Sequence, residues 1–208
     1  MLYETARLLI YQSYQQWIST EFFSFGWFVI IGVLVIVYGI WLKIVDKSRI
    51  QSILLLGSLS AIGFIIADMV LISYLGVADY KIRIFPWQPP IFIVSITIAP
   101  ILLMLIYQYT SSWSGYTLWT GIAMAVLAFG LLPIYSFLGI YQLVKWNYFY
   151  QFLLMFTDGV IARVLILWLI SLEQGHPVSS RSSAMFGLQP VATKTLDTKK
   201  KDSTENNE

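Results

Sequence analysis

Five apolar runs, each close to twenty residues and each bounded by charged or turn-forming residues, limit what this chain can fold into. A hydrocarbon core of ~30 Å is crossed by about 20 apolar residues in a helix, because a helix rises ~1.5 Å per residue. The first run spans Phe22 to Leu42 and stops at Lys43; the second spans Ile53 to Leu75 and stops at "GVADY". The third follows "FPWQPP", with Pro90 suited to a first helical turn where its missing N–H is harmless, and runs from Ile91 to Tyr107. The fourth covers Tyr116 to Tyr135, with a continuation through "SFLGIY" towards Tyr141 left open, and the fifth covers Phe152 to Leu172. The expectation is an all-α polytopic membrane helix bundle of about five transmembrane helices over residues 22–172.

Composition excludes the soluble alternative. With 58% hydrophobic residues, 12% charged ones and a mean hydropathy of +0.72, a water-soluble domain would have too apolar a surface to stay dispersed. The absence of cysteine removes disulfides, thiol nucleophiles and thiolate metal sites. A formal net charge of +2, scattered between apolar blocks, does not make a nucleic-acid footprint, so no nucleic-acid partner is expected. The expected partners are the lipid bilayer, a cytoplasmic protein for the tail, and further copies of the chain.

Residues 1–21 are too polar to span, yet Leu2, Ala6, Leu9, Ile10, Trp17 and Ile18 recur at helical spacing opposite Glu4, Arg7, Gln12, Gln15 and Gln16. That pattern predicts an amphipathic helix lying on the bilayer surface rather than a cleavable leader. Residues 173–208 are rich in Ser, Thr, Lys, Asp and Glu and bury too little apolar surface to offset their ordering entropy, which predicts a disordered polar tail. Basic residues in alternate loops favour a cytoplasmic tail in a cell-membrane protein. Lys43, Lys47, Arg49, Arg181, Lys194, Lys199, Lys200 and Lys201 lie on one side, against Arg7, Lys81, Arg83 and Lys145 on the other. Tyr and Trp crowd the span ends in "FPWQPP", "YTLW" and "KWNYFY", as interfacial anchors do.

Three charges stand inside the apolar runs: Asp68 in the second, Asp158 and Arg163 in the fifth. Each costs on the order of 3 kcal/mol near the bilayer centre unless it finds a partner or a wet cavity. The second run ends where the fifth begins, on one side of the membrane. Asp68 and Asp158 therefore stand level, ~10 and ~9 Å from that side, and Arg163 starts ~7 Å deeper than Asp158. Residues 158 and 163 lie about 140° apart around their helix, so Arg163 is expected to answer Asp68 across the bundle, with Asp158 as an accessory member able to hold a proton. Gly57 and Ala61 on the Asp68 helix, and Gly159 one turn from Arg163, supply small residues for close helix packing. Pro100 and Pro133 are expected to kink the third and fourth spans, as neighbouring helices allow in membranes.

The lone His176 has no second His or Cys beside it, and no GxSxG, HExxH, phosphate-loop or dinucleotide pattern occurs. No enzyme, metal or cofactor is expected. No internal repeat is visible, and an odd number of spans argues against a simple inverted-repeat transporter. Two functions fit these residues: a structural, sensory or accessory membrane component held by a buried Asp/Arg contact, or a small solute or proton-coupled transporter using Asp68, Asp158 and Arg163.

The five-span layout with its short first loop, "FPWQPP", "APILLMLIYQY" and "GIYQLVKWNYFYQF" resemble a family of small uncharacterised multi-pass membrane proteins of endospore-forming Firmicutes. The resemblance covers residues 25–172. It implies a bacterial plasma membrane and carries no activity onto particular residues.

Overall fold

A computed structural model of the chain describes residues 2–86 and 94–175. Pro90, the start of the expected third span, His176 and almost all of the expected tail lie outside them. Among the described residues, four helices are long and apolar enough to cross a membrane: residues 25–44, 47–71, 113–137 and 148–172. The all-α class is as expected. The third apolar run contributes a shorter helix, described from residue 94 onward.

The chain begins with α1 (Leu2–Gln16), which continues through a π-helical turn at Trp17–Glu21. The first spanning helix, α2 (Phe25–Ile44), opens on Ser24, whose hydroxyl accepts from the Trp27 backbone N–H. That satisfies one of the donors a helix amino end leaves without a partner. A single 3-10 turn, Lys47–Arg49, joins it to α3 (Ile50–Asp68), and Asp46 caps that turn by accepting from the Ser48 N–H at 2.9 Å. The helix α4 (Ala99–Tyr109) follows a π turn at Val94–Ile98; α5 (Trp113–Val126) follows a link of three residues and is capped by Ser112. A π turn at Leu127–Leu131 leads into α6 (Leu132–Phe137), and α7 (Tyr148–Gly175) is the longest helix.

Both expected kink prolines stand directly after a π turn, Pro100 at the start of α4 and Pro133 at the start of α6. A proline has no N–H for the helical ladder, and a widened turn is one way for the backbone to absorb that loss. α4 is the most enclosed of the apolar helices. Ala99, Ile101 and Leu103 are fully or almost fully buried, and the helix packs on α2, α3 and α5. Gln108 near its end ties down the α2–α3 link: its amide donates to the Ile44 carbonyl and accepts from the Asp46 N–H, both at 2.9 Å.

Two short strands interrupt the helical pattern, a feature absent from the sequence-based expectation. β1 (Ala78–Tyr80) pairs antiparallel with β2 (Tyr141–Leu143), in the register Ala78 with Leu143 and Tyr80 with Tyr141. Each strand is preceded, two residues earlier, by a glycine with positive φ: Gly76 at 61° and Gly139 at 68°. Such a turn is strained for any residue with a Cβ. The Val77 carbonyl extends the pairing by accepting from Val144 and Lys145.

Candidate functional site: separate seats for the buried charges

Arg163, on α7, is 4% exposed. Its guanidinium lies 4.4 Å from the Tyr116 ring centroid and 4.9 Å from that of Trp113, and one Nη donates to the Ser111 carbonyl at 3.1 Å. Its Nε and other Nη have no hydrogen-bond partner among the described residues. A planar, weakly hydrated cation over aromatic faces is stabilised by about 0.5–2 kcal/mol per contact, which here takes the place of a counter-ion. Tyr116 is fixed in turn, since its hydroxyl donates to the Gly159 carbonyl at 2.8 Å.

Asp158 sits one turn earlier on α7 and looks towards α3. The Ser60 hydroxyl, fully buried, donates to its Oδ2 at 2.6 Å. The carboxylate also lies directly on the backbone of Gly63, where a Cβ would run into Oδ1. Ser60 and Gly63, three residues apart on one face of α3, thus form a seat for this carboxylate: one supplies a donor, the other the space.

Asp68, at the carboxyl end of α3, is 5% exposed and lies near Tyr80 and Tyr141 of the strand pair. Burial is the main influence that raises the pKa of Tyr80 and of Tyr141, and the nearby Asp68 carboxylate adds to it in both. The rings stack at 5.6 Å between centroids across the strand pair. Both phenols are therefore neutral at physiological pH, and Asp68 lies near protonated hydroxyl-bearing rings.

The expected ion contact between Arg163 and Asp68 is therefore corrected: Arg163 bonds neither to Asp68 nor to Asp158. Side chains on a helix lean towards its amino end, but the α4–α5 link offers a free carbonyl and two aromatic faces, and the guanidinium goes there. The small residues are corrected in part as well. Gly57 admits Met104 of α4 and Gly159 admits Leu103 and Thr120, so both serve α4 and α5; the close contact of α3 with α7 is at Gly63. Ala61 lines a groove with Gly57 and Pro100.

Among the described residues the ion pairs are Lys81–Asp79, which is half-exposed, and Arg83–Glu21, which is buried. The second is not among the sequence-based expectations. Glu21 takes Arg83 Nε at 2.9 Å and its second Nη at 2.5 Å, in a bidentate fork, and also accepts the Arg83 backbone N–H at 2.8 Å. The remaining Nη donates to Ser13 of α1 at 2.9 Å, and the Trp17 indole donates to the Arg83 carbonyl. The amino-terminal segment is thus latched to the loop after β1, although residues 3–12 of α1 stay exposed. The available signal was an acid, Glu21, placed directly before an apolar run with no basic neighbour in sequence. The described residues contain no group of three His, Cys, Asp or Glu that could hold a metal.

No family model, no curated protein and no solved structure matches this chain.

Proposed function

We propose that this protein is a structural, sensory or accessory component of a bacterial cell membrane, in which the buried charges fasten helices instead of conducting a solute. What supports the reading is that each of the three charges has its own seat built from neighbouring elements. Asp158 joins α7 to α3, Arg163 joins α7 to the α4–α5 link, and Asp68 joins α3 to the strand pair. A translocation path needs groups that can exchange partners along a line, whereas these three are committed in different directions. The side bearing Lys43, Lys47 and Arg49 is cytoplasmic in this reading, by the excess of positive charge there, and the carboxyl-terminal residues lie on that side. The resemblance to multi-pass proteins of endospore-forming Firmicutes fits the same location.

The test is reconstitution of the full chain into liposomes loaded with a pH-sensitive dye, under an imposed proton gradient. The expected result is dissipation no faster than in protein-free liposomes, with Asp158→Asn lowering thermal stability and leaving the dye trace unchanged. A flux carried by the wild-type protein and lost in Asp158→Asn would overturn the proposal in favour of a proton-coupled carrier.

A further inference from the structure

A hollow of about 260 Å³ lies where α2, α3 and α4 meet, lined among others by Trp41, Leu54, Gly57, Ala61, Pro100 and Met104. Ala61 lines it with a side chain too small to fill the space between larger neighbours, while Met104 covers the backbone of Gly57 beside it. It opens sideways between helices, since Leu54 on its wall is 44% exposed. It is smaller than the ~300–1,000 Å³ typical of small-molecule sites, and its walls are mostly apolar, with Ser58 and Thr97 among them, which suits a length of hydrocarbon chain rather than a whole solute.

The end of the hollow is marked by charge. Trp41 stands three residues before the end of α2, ~4.5 Å from the level where that helix stops. It is itself 8% exposed, and its indole N–H has no partner among the described residues, an uncommon state for a buried donor. Just beyond lie Lys43, Lys47 and Arg49, all exposed. The Arg49 guanidinium stands 5.8 Å from the Tyr107 ring centroid, one turn past Met104. Asp46, which accepts from the N–H and hydroxyl of Ser48, is the one acid in this link against these three cations, so this end of the hollow keeps an excess of positive charge.

We propose that this hollow is a binding site for an anionic phospholipid of the adjoining leaflet. One acyl chain lies along Leu54, Gly57 and Ala61, the ester region is level with the Trp41 indole, and the phosphate lies among Lys43, Lys47 and Arg49. Apolar shape selects a hydrocarbon chain, an indole at the ester level supplies a donor, and the basic cluster discriminates by headgroup charge.

The experiment places the full chain in nanodiscs of phosphatidylcholine and phosphatidylglycerol at four to one. A photoreactive benzoylphenylalanine replaces Leu54 inside the hollow or, as a control, Ile36, which is 61% exposed on α2 and does not line it. Mass spectrometry of the adducts reads the lipid captured. Phosphatidylglycerol is expected to be enriched about tenfold at position 54 relative to position 36. The joint change Lys43→Gln, Lys47→Gln, Arg49→Gln should abolish the enrichment, and Trp41→Phe, which keeps the ring without its N–H, should reduce it about two- to threefold. Equal lipid shares at the two positions would overturn the proposal, as would an enrichment indifferent to both variants. Chain-to-chain adducts dominating at position 54 would do the same, assigning the hollow to a second copy of this chain.

Discussion

The latch around Arg83 and the seat of Arg163 show two ways of burying a guanidinium in one protein. Arg83 lies outside the spanning helices and has a full counter-ion: a bidentate carboxylate, a serine hydroxyl, and a backbone bond to the same acid. Arg163 lies inside a span and has one carbonyl and two aromatic faces. The difference follows from where each partner comes from. Loop segments are free to bring Glu21 to Arg83 from 62 residues away, and a bidentate fork then repays the removal of both ions from water. Within the spans, helices present side chains at fixed levels. The groups on offer near Arg163 are two rings and one carbonyl of the α4–α5 link, so its charge is spread over polarisable surfaces.

The largest effect should come from breaking the fork. Glu21→Ala leaves a buried guanidinium without its acid and should destabilise the detergent-solubilised protein by about 3–5 kcal/mol, read from thermal or denaturant unfolding. If Glu21→Ala proved as mild as a surface change, the contrast between the two arginines would vanish. The next effect belongs to the Asp158 seat. Gly63→Ala drives a Cβ into the carboxylate and should cost about 1–3 kcal/mol. Combining it with Asp158→Ser should recover part of that loss, because the shorter side chain vacates the space; no recovery would mean that Gly63 matters for some other contact. Arg163→Lys keeps the charge but gives up the planar stacking on Trp113 and Tyr116, and should cost about 1 kcal/mol in the same unfolding assay. A neutral result there would reduce the aromatic seat to mere proximity.

A pH titration sharpens the comparison at the strand pair. Tyr80 and Tyr141 both have pKa values above the usual tyrosine value of about 10, through burial first and the Asp68 charge second. The folded state therefore holds these protons more tightly than the unfolded chain. Stability from this source is fully present below pH of about 10 and is lost as pH rises beyond it. Tyrosinate absorbance should show these phenols ionising only with the opening of the strand pair. In Tyr80→Phe that late step should shrink. Ionisation of all tyrosines near pH 10 in the folded protein would contradict the burial of Tyr80 and Tyr141 at the strand pair.

The spans were legible because hydropathy alone marks twenty apolar residues between charges, and the boundaries fall within a few residues of Phe25–Ile44 and Tyr148–Gly175. That Asp68 and Arg163 are buried was legible for the same reason. Their partners were not. Depth along a helix can be counted, yet rotation and reach depend on which neighbour offers an acceptor, and Ser111 lies in a three-residue link that no periodicity describes. Glu21 closes an amphipathic segment and Arg83 stands in a loop 62 residues later, so the acid's position before an apolar run marks a charge in need of a partner without naming Arg83. β1 and β2 are three residues each and far apart in sequence, below the length at which alternation is readable. The lesson is specific to hydrocarbon: a charge in an apolar run reports that a partner exists, and that partner can be a hydroxyl, a carbonyl or a ring as well as an opposite charge.

That claim is tested most directly by a double-mutant cycle on Asp68→Asn and Arg163→Gln, measured by unfolding of the solubilised full chain. Separate seats predict additive effects, with an interaction energy within about 0.5 kcal/mol of zero. An interaction energy of about 3 kcal/mol or more, with either single change leaving a stranded charge that the second relieves, would contradict it.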